Sequence, residues 1–212
     1  ILLTLSGLYG MFSSADLFLL FLLTELTTIT ASALIAFYFY KEDAVNAGFK
    51  YLIMSSIATM FMLLGIYFVF RSTGSLSLAE PLLSPDSSTR IGAACFLLGF
   101  SLKAGVVPLH TWVPLVYSKT PSAIGALLAG VISKSMLFIL VDVSLKLGLA
   151  PDEVGAFLMT LSLINMLLGS IKALTQHHLN RFLAYSSISQ TGYLMYILGV
   201  SLYYQVDGGI TA

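Results

Sequence analysis

The chain has 212 residues, of which 58% are hydrophobic and 9% are charged, whereas about 25% of the residues in a soluble domain are charged. This composition excludes a soluble enzyme, a nucleic-acid-binding protein and a disordered chain, and ten basic residues balanced by ten acidic ones create no net field that attracts polyanions. The single cysteine, Cys95, cannot form an intramolecular disulfide. We therefore predict an all-α fold, a polytopic bundle of helices in the lipid bilayer.

Apolar segments that can cross a bilayer follow one another along the chain, since a helix needs roughly 20 apolar residues to do so. Their continuous apolar character argues against alternating membrane strands. The break at 71–90 holds Ser, Pro, Gly and Asp, which is typical of a loop. The seven predicted spans are 1–12, 16–40, 45–70, 91–107, 122–147, 154–173 and 182–204.

The two ends of the chain indicate an internal piece of a longer protein. Ile1 is not a start methionine, and the apolar run that it opens has no basic flank of a signal peptide. The final Asp207-Gly208-Gly209 follows an apolar span directly. We expect residues 1–212 to form a single transmembrane domain.

Basic residues in the breaks predict the orientation, because Lys and Arg collect in short cytoplasmic loops. One side of the predicted bundle has four such residues and the other has three, which favours the first side as cytoplasmic. The first group is Lys41, Lys119, Lys172 and Arg181, and the second group is Arg71, Arg90 and Lys146.

Four ionisable side chains lie well inside the predicted spans: Glu25, Lys103, Lys134 and, nearer one end, Lys50. Each would cost about 2.5–3.5 kcal/mol at the bilayer centre, so such groups face the protein interior or water. Glu25 shares a helix face with Thr28 and Ser32, and these hydroxyls could hold water beside the carboxylate. The alternative is a single buried carboxyl kept neutral by desolvation.

Lys50 and Lys103 differ in their depth in the predicted spans. Lys50 is about five residues from the start of its span, so it either reaches the interface or pairs with Glu25 on the preceding helix. Lys103 is about twelve residues into its span, and Pro108 follows it. Proline ends or kinks a helix, and irregular backbone at membrane depth lines a cavity. We therefore predict a broken helix near Lys103–Pro108 that forms part of an ion site.

His110 follows the predicted break and is either a proton-transfer group or a histidine bonded to a backbone carbonyl. Lys134 lies at the middle of 122–147 and can exchange a proton if it is buried. The half-helix before it is rich in small residues, which predicts close contact with neighbouring helices. These small residues are Gly125, Ala126, Ala129 and Gly130.

The last polar cluster contains His177, His178, Ser187 and Gln190. It could carry a short water chain, or it could hydrogen-bond between helices. Adjacent histidines do not form an i,i+4 metal pair, and the three His and one Cys have no zinc spacing. The sequence has no phosphate loop, nucleophile elbow or HExxH motif, so we expect no cofactor and no redox site in this chain.

Several motifs, in this order, resemble the antiporter-like membrane subunits of respiratory complex I, a family that includes Mrp-type sodium/proton antiporter and membrane-bound hydrogenase subunits. The motifs are Asp16-Leu17-Phe18, Glu25-Leu26-Thr27, Phe49-Lys50-Tyr51-Leu52, Gly99-Phe100-Ser101-Leu102-Lys103-Ala104, Pro108-Leu109-His110-Thr111-Trp112-Val113-Pro114, Thr120-Pro121-Ser122-Ala123 and Arg181-Phe182-Leu183-Ala184-Tyr185-Ser186-Ser187-Ile188-Ser189-Gln190-Thr191-Gly192-Tyr193.

The resemblance implies a role for each buried group. Glu25 and Lys103 match the glutamate–lysine pair of the family, Lys134 matches its central lysine, and His110 matches the histidine after the broken helix. In the family these groups, linked by water, are thought to move protons or exchange them for sodium, and partner subunits supply the redox energy. The chain would be the middle of a subunit of about fourteen helices, in a prokaryotic plasma membrane or an energy-converting organelle membrane.

The sequence departs from the family pattern at a few positions. One lysine of a basic stretch is missing at His178-Leu179-Asn180-Arg181, Leu115 replaces an aspartate, and Asp142 stands where an arginine often ends the helix. These differences concern surface partners and the branch of the family. A second half-channel would lie beyond Ala212.

Three other functions stay open at this point. A sodium/proton antiporter would place Na⁺ against Glu25 and hydroxyls such as Thr28. A membrane cytochrome would use His110, His177 or His178 as haem ligands. A scaffold with an inactive ion site would have the same composition.

Overall fold

The computed structural model describes residues 1–38, 40–79, 81–82 and 85–204. Asp207-Gly208-Gly209, which we read as a sign of an internal fragment, lies outside these residues. The described part is helical, with one isolated β-bridge between Asp16 and Ser77. The helices are α1 (Leu2–Ser13), α2 (Leu17–Ile35), α3 (Glu42–Thr73), α4 (Ser87–Ala104), α5 (Trp112–Lys119), α6 (Ser122–Leu127), a π-helical segment (Leu128–Ile132), α7 (Ser133–Lys146), α8 (Pro151–Leu174) and α9 (Leu179–Tyr203).

The predicted all-α membrane fold is confirmed, and each predicted span contains a helix. In the described part, four helical stretches are long and apolar enough to cross a membrane: Leu17–Ile35, Glu42–Thr73, Ser122–Lys146 and Pro151–Leu174. The spans predicted at α1, α4 and α9 stay predictions. The sequence did not predict α5, which is a helix of 8 residues between Pro108 and Thr120, nor the π-helical turn inside 122–147.

Aspartates on one side of the bundle cap two of the helices. The Asp16 carboxylate accepts hydrogen bonds from the backbone N–H groups of Phe18 and Leu19, both at 2.9 Å. The Asp86 carboxylate accepts from the backbone N–H of Thr89 and from the Ser72 hydroxyl, both at 2.8 Å. The hydrogen bonds from the Thr89 backbone and from the Ser72 and Thr89 hydroxyls hold the pKa of Asp86 below its usual range. Side-chain caps of this kind satisfy donors that the first turn leaves free.

Contacts between loops place the breaks on the two sides of the bundle that we assigned from the basic residues. Lys119 pairs with Asp43 at 2.6 Å, which joins the start of α3 to the end of α5. Arg90 pairs with Glu153 at 3.4 Å on the opposite side, where the Leu82 N–H also bonds to the Lys146 carbonyl at 3.0 Å. The helices therefore alternate in direction between two faces.

The predicted break after Lys103 is present. Helix α4 ends at Ala104, and Gly105 adopts a left-handed conformation with φ of +75°. The Gly105 and Val106 N–H groups bond back to carbonyls of the last turn of α4, so the helix end is closed internally. The chain then turns through residues 106–111 and resumes as α5 at Trp112.

Helices α8 and α9 pack closely against each other. A Cβ atom added to Gly169 would lie 2.7 Å from the Ser189 backbone nitrogen, and one added to Gly199 would lie 2.9 Å from the Gly155 carbonyl oxygen. Small residues allow helices to approach in this way.

The prediction of close packing before Lys134 is wrong at two positions. A Cβ atom added to Gly125 or Gly130 would have no atom within 4 Å. The two glycines of this half-helix therefore face open space, whereas glycines of α8 and α9 lie in close helix contacts.

Candidate functional site

Lys103 is buried at the end of α4, with 5% of its surface exposed. Its ammonium donates to the Thr28 hydroxyl of α2, and that hydroxyl donates to the Thr24 carbonyl at 2.8 Å. A hydroxyl has one proton to donate, so Thr28 offers Lys103 only a lone pair. Thr28, which shares a face of α2 with Glu25, thus accepts the hydrogen bond of the lysine from α4.

Glu25 lies one helical turn before Thr28 and is partly exposed. Its charge acts on Lys103 and on the buried Tyr51 of α3. Within the described residues the carboxylate does not form a direct ion pair with Lys103. The Thr28 hydroxyl, and not the carboxylate, contacts the ammonium.

Lys134 follows the π-helical turn and points to α9. Its ammonium donates to the Ser187 hydroxyl at 3.2 Å and to the Thr191 hydroxyl at 3.1 Å. The Thr191 hydroxyl donates in turn to the Ser187 carbonyl at 2.9 Å. Both lysines therefore bond to a threonine whose proton is already donated to the carbonyl four residues earlier.

Lys134 borders a cavity of about 410 Å³ between α6, the π-helical segment and α9. The cavity has room for several water molecules, at about 30 Å³ for each. The open face of Gly125 and Gly130 forms one wall, and Ser187 and Gln190 lie on the other. The structure thus brings two of the predicted polar residues of α9 to the central lysine.

The turn between α4 and α5 is bonded to α8. The Val107 N–H donates to the Asn165 side-chain oxygen at 3.2 Å, and Asn165 is fully buried. The side chain of His110 is half-buried, and its Nδ1 atom has no hydrogen-bond partner among the described residues. The backbone of Pro108 and the charge of Lys172 on α8 both act on the His110 ring.

Lys50 does not take the position that pairing with Glu25 requires. Its side chain is exposed, it lines a shallow groove with Trp112 and Leu115, and no ion pair with Glu25 is formed in the described part of the chain. The structure agrees with the alternative that Lys50 extends to the interface. A role for Lys50 in ion transfer stays a prediction.

His177 and His178 are exposed and directly precede α9. His178 borders a second cavity of about 350 Å³ with Lys119 and Arg181, near the face that contains Asp43. Neither histidine is placed at Lys134. In the described ranges, no group of three or more His, Cys, Asp or Glu side chains could hold a metal ion.

Sequence reasoning missed several contacts of this site. Asn165 is the only amide side chain in its predicted span, and that signal could have marked it as a partner for irregular backbone. Thr191 stands in a quoted motif without an assigned role. Tyr117 and Ser133, whose hydroxyl oxygens are 3.1 Å apart, carry no signal that distinguishes them from other residues of their segments.

Comparison with known proteins finds relatives of this chain. The chain is 37% identical over 209 residues to NADH-quinone oxidoreductase subunit N of Desulforudis audaxviator (strain MP104C), and the match covers 95% of this chain and 41% of that protein. The chain thus spans about two fifths of the length of this relative.

Two solved structures share the fold. A chain of the membrane-bound sulfane sulfur reductase, an archaeal respiratory membrane complex, has a TM-score of 0.82 at 28% identity, over 93% of this chain and 42% of the other. A chain of respiratory complex I from Thermus thermophilus has a TM-score of 0.79 at 26% identity, over 95% and 46% respectively.

The family model described as "NADH:quinone oxidoreductase/Mrp antiporter, TM" matches residues 14–212. The match covers nearly the whole chain and includes the helices that hold Lys103 and Lys134. The protein is an integral membrane protein and belongs to this antiporter-like family of transmembrane subunits.

Proposed function

We propose that this chain moves protons across the membrane along an axis formed by Glu25, Lys103, His110 and Lys134. The observation that carries the proposal is the buried Lys103 ammonium bonded to Thr28, one turn from the Glu25 carboxylate. A charged group placed in this way costs several kcal/mol unless it is paired or solvated. An amine that is retained there at such a cost has a use that an apolar side chain lacks.

The first step of the proposed mechanism is a change of charge at Glu25. An ionised carboxylate stabilises the charged form of Lys103 by Coulomb attraction, which is strong in a low dielectric. When Glu25 takes up a proton, this attraction is lost and Lys103 releases its own proton. A change of about 1.4 kcal/mol in the interaction alters the proton affinity tenfold, so a modest event at Glu25 can switch the lysine.

The second step delivers the proton to Lys134. This amine is less buried than Lys103, borders a cavity and is held by two hydroxyls. His110 lies at the break between the two helical elements and offers a nitrogen for the same transfer. Deprotonated Lys134 can accept the proton on the lone pair of its amine.

The energy would come from other subunits. The relatives are subunits of multisubunit membrane complexes. We propose that it works beside other membrane subunits, in a complex whose redox partners drive the charge changes at Glu25.

Vesicles that contain the assembled complex test the proposal. Lys103→Ala and Glu25→Ala should each reduce proton uptake per electron transferred by roughly tenfold or more, a modest effect for the loss of a proton-transfer group. Lys41→Ala is the matched control, since Lys41 is an exposed lysine at the start of α3. Normal proton uptake by an assembled Lys103→Ala complex would refute the role of Lys103.

The same vesicles distinguish protons from sodium. Replacing Na⁺ by choline should leave proton uptake unchanged. A requirement for Na⁺ that is lost in Thr28→Val would instead indicate sodium/proton exchange at Glu25 and the hydroxyls beside it.

A further inference from the structure

Tyr117 and Ser133 form a buried hydroxyl pair next to the central lysine. Their hydroxyl oxygens are 3.1 Å apart, and the two residues are 8% and 3% exposed. Ser133 directly precedes Lys134, and the Tyr117 side chain borders the same cavity as Lys134. The pair therefore joins α5 to α7 at the level of the amine.

The other side of Tyr117 leads towards Lys103 through aromatic rings. Tyr117 packs edge-on against Trp112 with ring centroids 6.2 Å apart, and Trp112 packs against Tyr51 at 5.3 Å. The Trp112 indole donates to the Leu102 carbonyl at 2.9 Å, beside Lys103 in the chain. The aromatic cluster therefore connects the carbonyl next to Lys103 with Ser133, next to Lys134.

The phenol of Tyr117 has the chemistry of a relay group. Phenol and serine hydroxyls can each donate and accept a hydrogen bond, so either oxygen of the pair can be the donor. Phenylalanine would bury the same ring against Trp112 without a hydroxyl that needs a partner. The pair thus provides a transferable proton inside the bundle, in addition to the nitrogen atoms of His110.

We propose that Tyr117, positioned by Ser133, relays protons between the Lys103 side of the bundle and the cavity at Lys134, an inference that rests on the proposed proton-transfer function. In one relay the Tyr117 O–H bond breaks as its proton passes to the Lys134 amine. A new O–H bond forms with the proton that Lys103 released. The tyrosine ends in its initial state, and no electron is transferred.

The groups around Tyr117 define what a pH measurement would report. Tyr51 of α3 interacts with it electrostatically, Ser133 bonds to it from α7, and Lys134 shares its cavity. Glu25 interacts electrostatically with Tyr51 of this cluster. A change in the acidity of the Tyr117 phenol should therefore alter the pH profile of proton transfer and leave the packing of the ring in place.

Tyr117→Phe in the assembled complex is the first test. We expect proton uptake to fall roughly tenfold, less than the 100-fold or more typical of a lost acid–base group in a rate-limiting step, with normal assembly. Tyr193→Phe, at an exposed position of α9, is the matched control and should be unchanged. Proton uptake that is unaltered in assembled Tyr117→Phe overturns the relay.

A fluorotyrosine at position 117 gives a readout that packing alone would not move. Its phenol is more acidic, so the pH profile of proton uptake should shift to lower pH, and an unshifted profile overturns the relay. If Tyr117→Phe does not assemble, Ser133→Ala replaces it: a fall in uptake that Ser133→Thr restores supports the positioning role, and unchanged uptake overturns it.

Lys134→Ala, measured in parallel, distinguishes the two proposals. Loss of uptake in Lys134→Ala with normal uptake in Tyr117→Phe overturns the relay alone. Normal uptake in both variants overturns the proposed function and the relay together.

Discussion

Lys103 and Lys134 share one local motif and differ in how accessible their ammonium groups are. Lys103 bonds to Thr28 and Lys134 bonds to Thr191, and each threonine donates its proton to the carbonyl four residues earlier. Lys103 is enclosed at a helix end, whereas Lys134 lies beside a cavity of about 410 Å³. The comparison shows that the hydrogen-bond partner holds the amine, while the packing around it decides what else can reach it.

The glycine near each lysine shows the same difference between an enclosed and an open site. Gly105 closes α4 just after Lys103, and an added Cβ would lie 2.6 Å from a Val113 methyl group. Gly130, just before Lys134, faces open space. One glycine is needed for a turn and a close contact, and the other forms the wall of a cavity.

Alanine at these two glycines should give the largest difference in stability. Gly105→Ala should destabilise the full-length protein by about 2 kcal/mol or more, because alanine is strained at the positive φ of this position and its Cβ would collide with Val113. Gly130→Ala should be neutral or stabilise by up to about 1 kcal/mol, because alanine favours the helix. Denaturation in detergent measures both. Equal losses of stability would contradict the contrast between a closed and an open site.

Removal of the threonine hydroxyls should have the next largest effect. Thr28→Val leaves the Lys103 ammonium without its hydroxyl acceptor and should destabilise the protein by roughly 1–3 kcal/mol. Thr191→Val removes the equivalent group but leaves Ser187 bonded to Lys134, so we expect about 0.5–1.5 kcal/mol. The same denaturation experiment ranks the two variants. A larger loss of stability for Thr191→Val would show that the cavity beside Lys134 does not reduce the cost of removing its hydroxyl partner.

Filling the cavity should change stability least and function most selectively. Gly130→Leu has space for its side chain, so we expect stability to change by no more than about 1 kcal/mol. Proton uptake should fall, because the side chain displaces water from the face of Lys134. Ala156→Leu, at an exposed position of α8, is the control. Full uptake in Gly130→Leu would mean that the cavity is not on the path.

Much of the site could be predicted from single residues. Glu25, Lys103 and Lys134 stand out because ionisable groups are expensive in hydrocarbon, and Pro108 indicates the break because proline cannot continue a helix. Lys50 carries the same signal, yet it lies on the surface. Depth along a helix can be counted from the sequence, but the direction in which a side chain points depends on how the helices pack.

Small residues show the same limit. The stripe at Gly125–Gly130 and the glycines of α8 and α9 have similar composition, yet the first is open and the second is in close contact. A glycine permits a close approach, and only the partner helix determines whether that approach occurs.

The sequence by itself determined that this is a helical membrane protein with a broken helix and buried charged groups, since transfer energies and proline geometry act on each residue alone. Only the tertiary structure decided that Lys103 meets Thr28, 75 residues away, that Lys134 meets Ser187 and Thr191 on α9, and that Tyr117 meets Ser133. Such pairs are set by the rotation and depth of helices that are distant in the chain, and no local pattern encodes them.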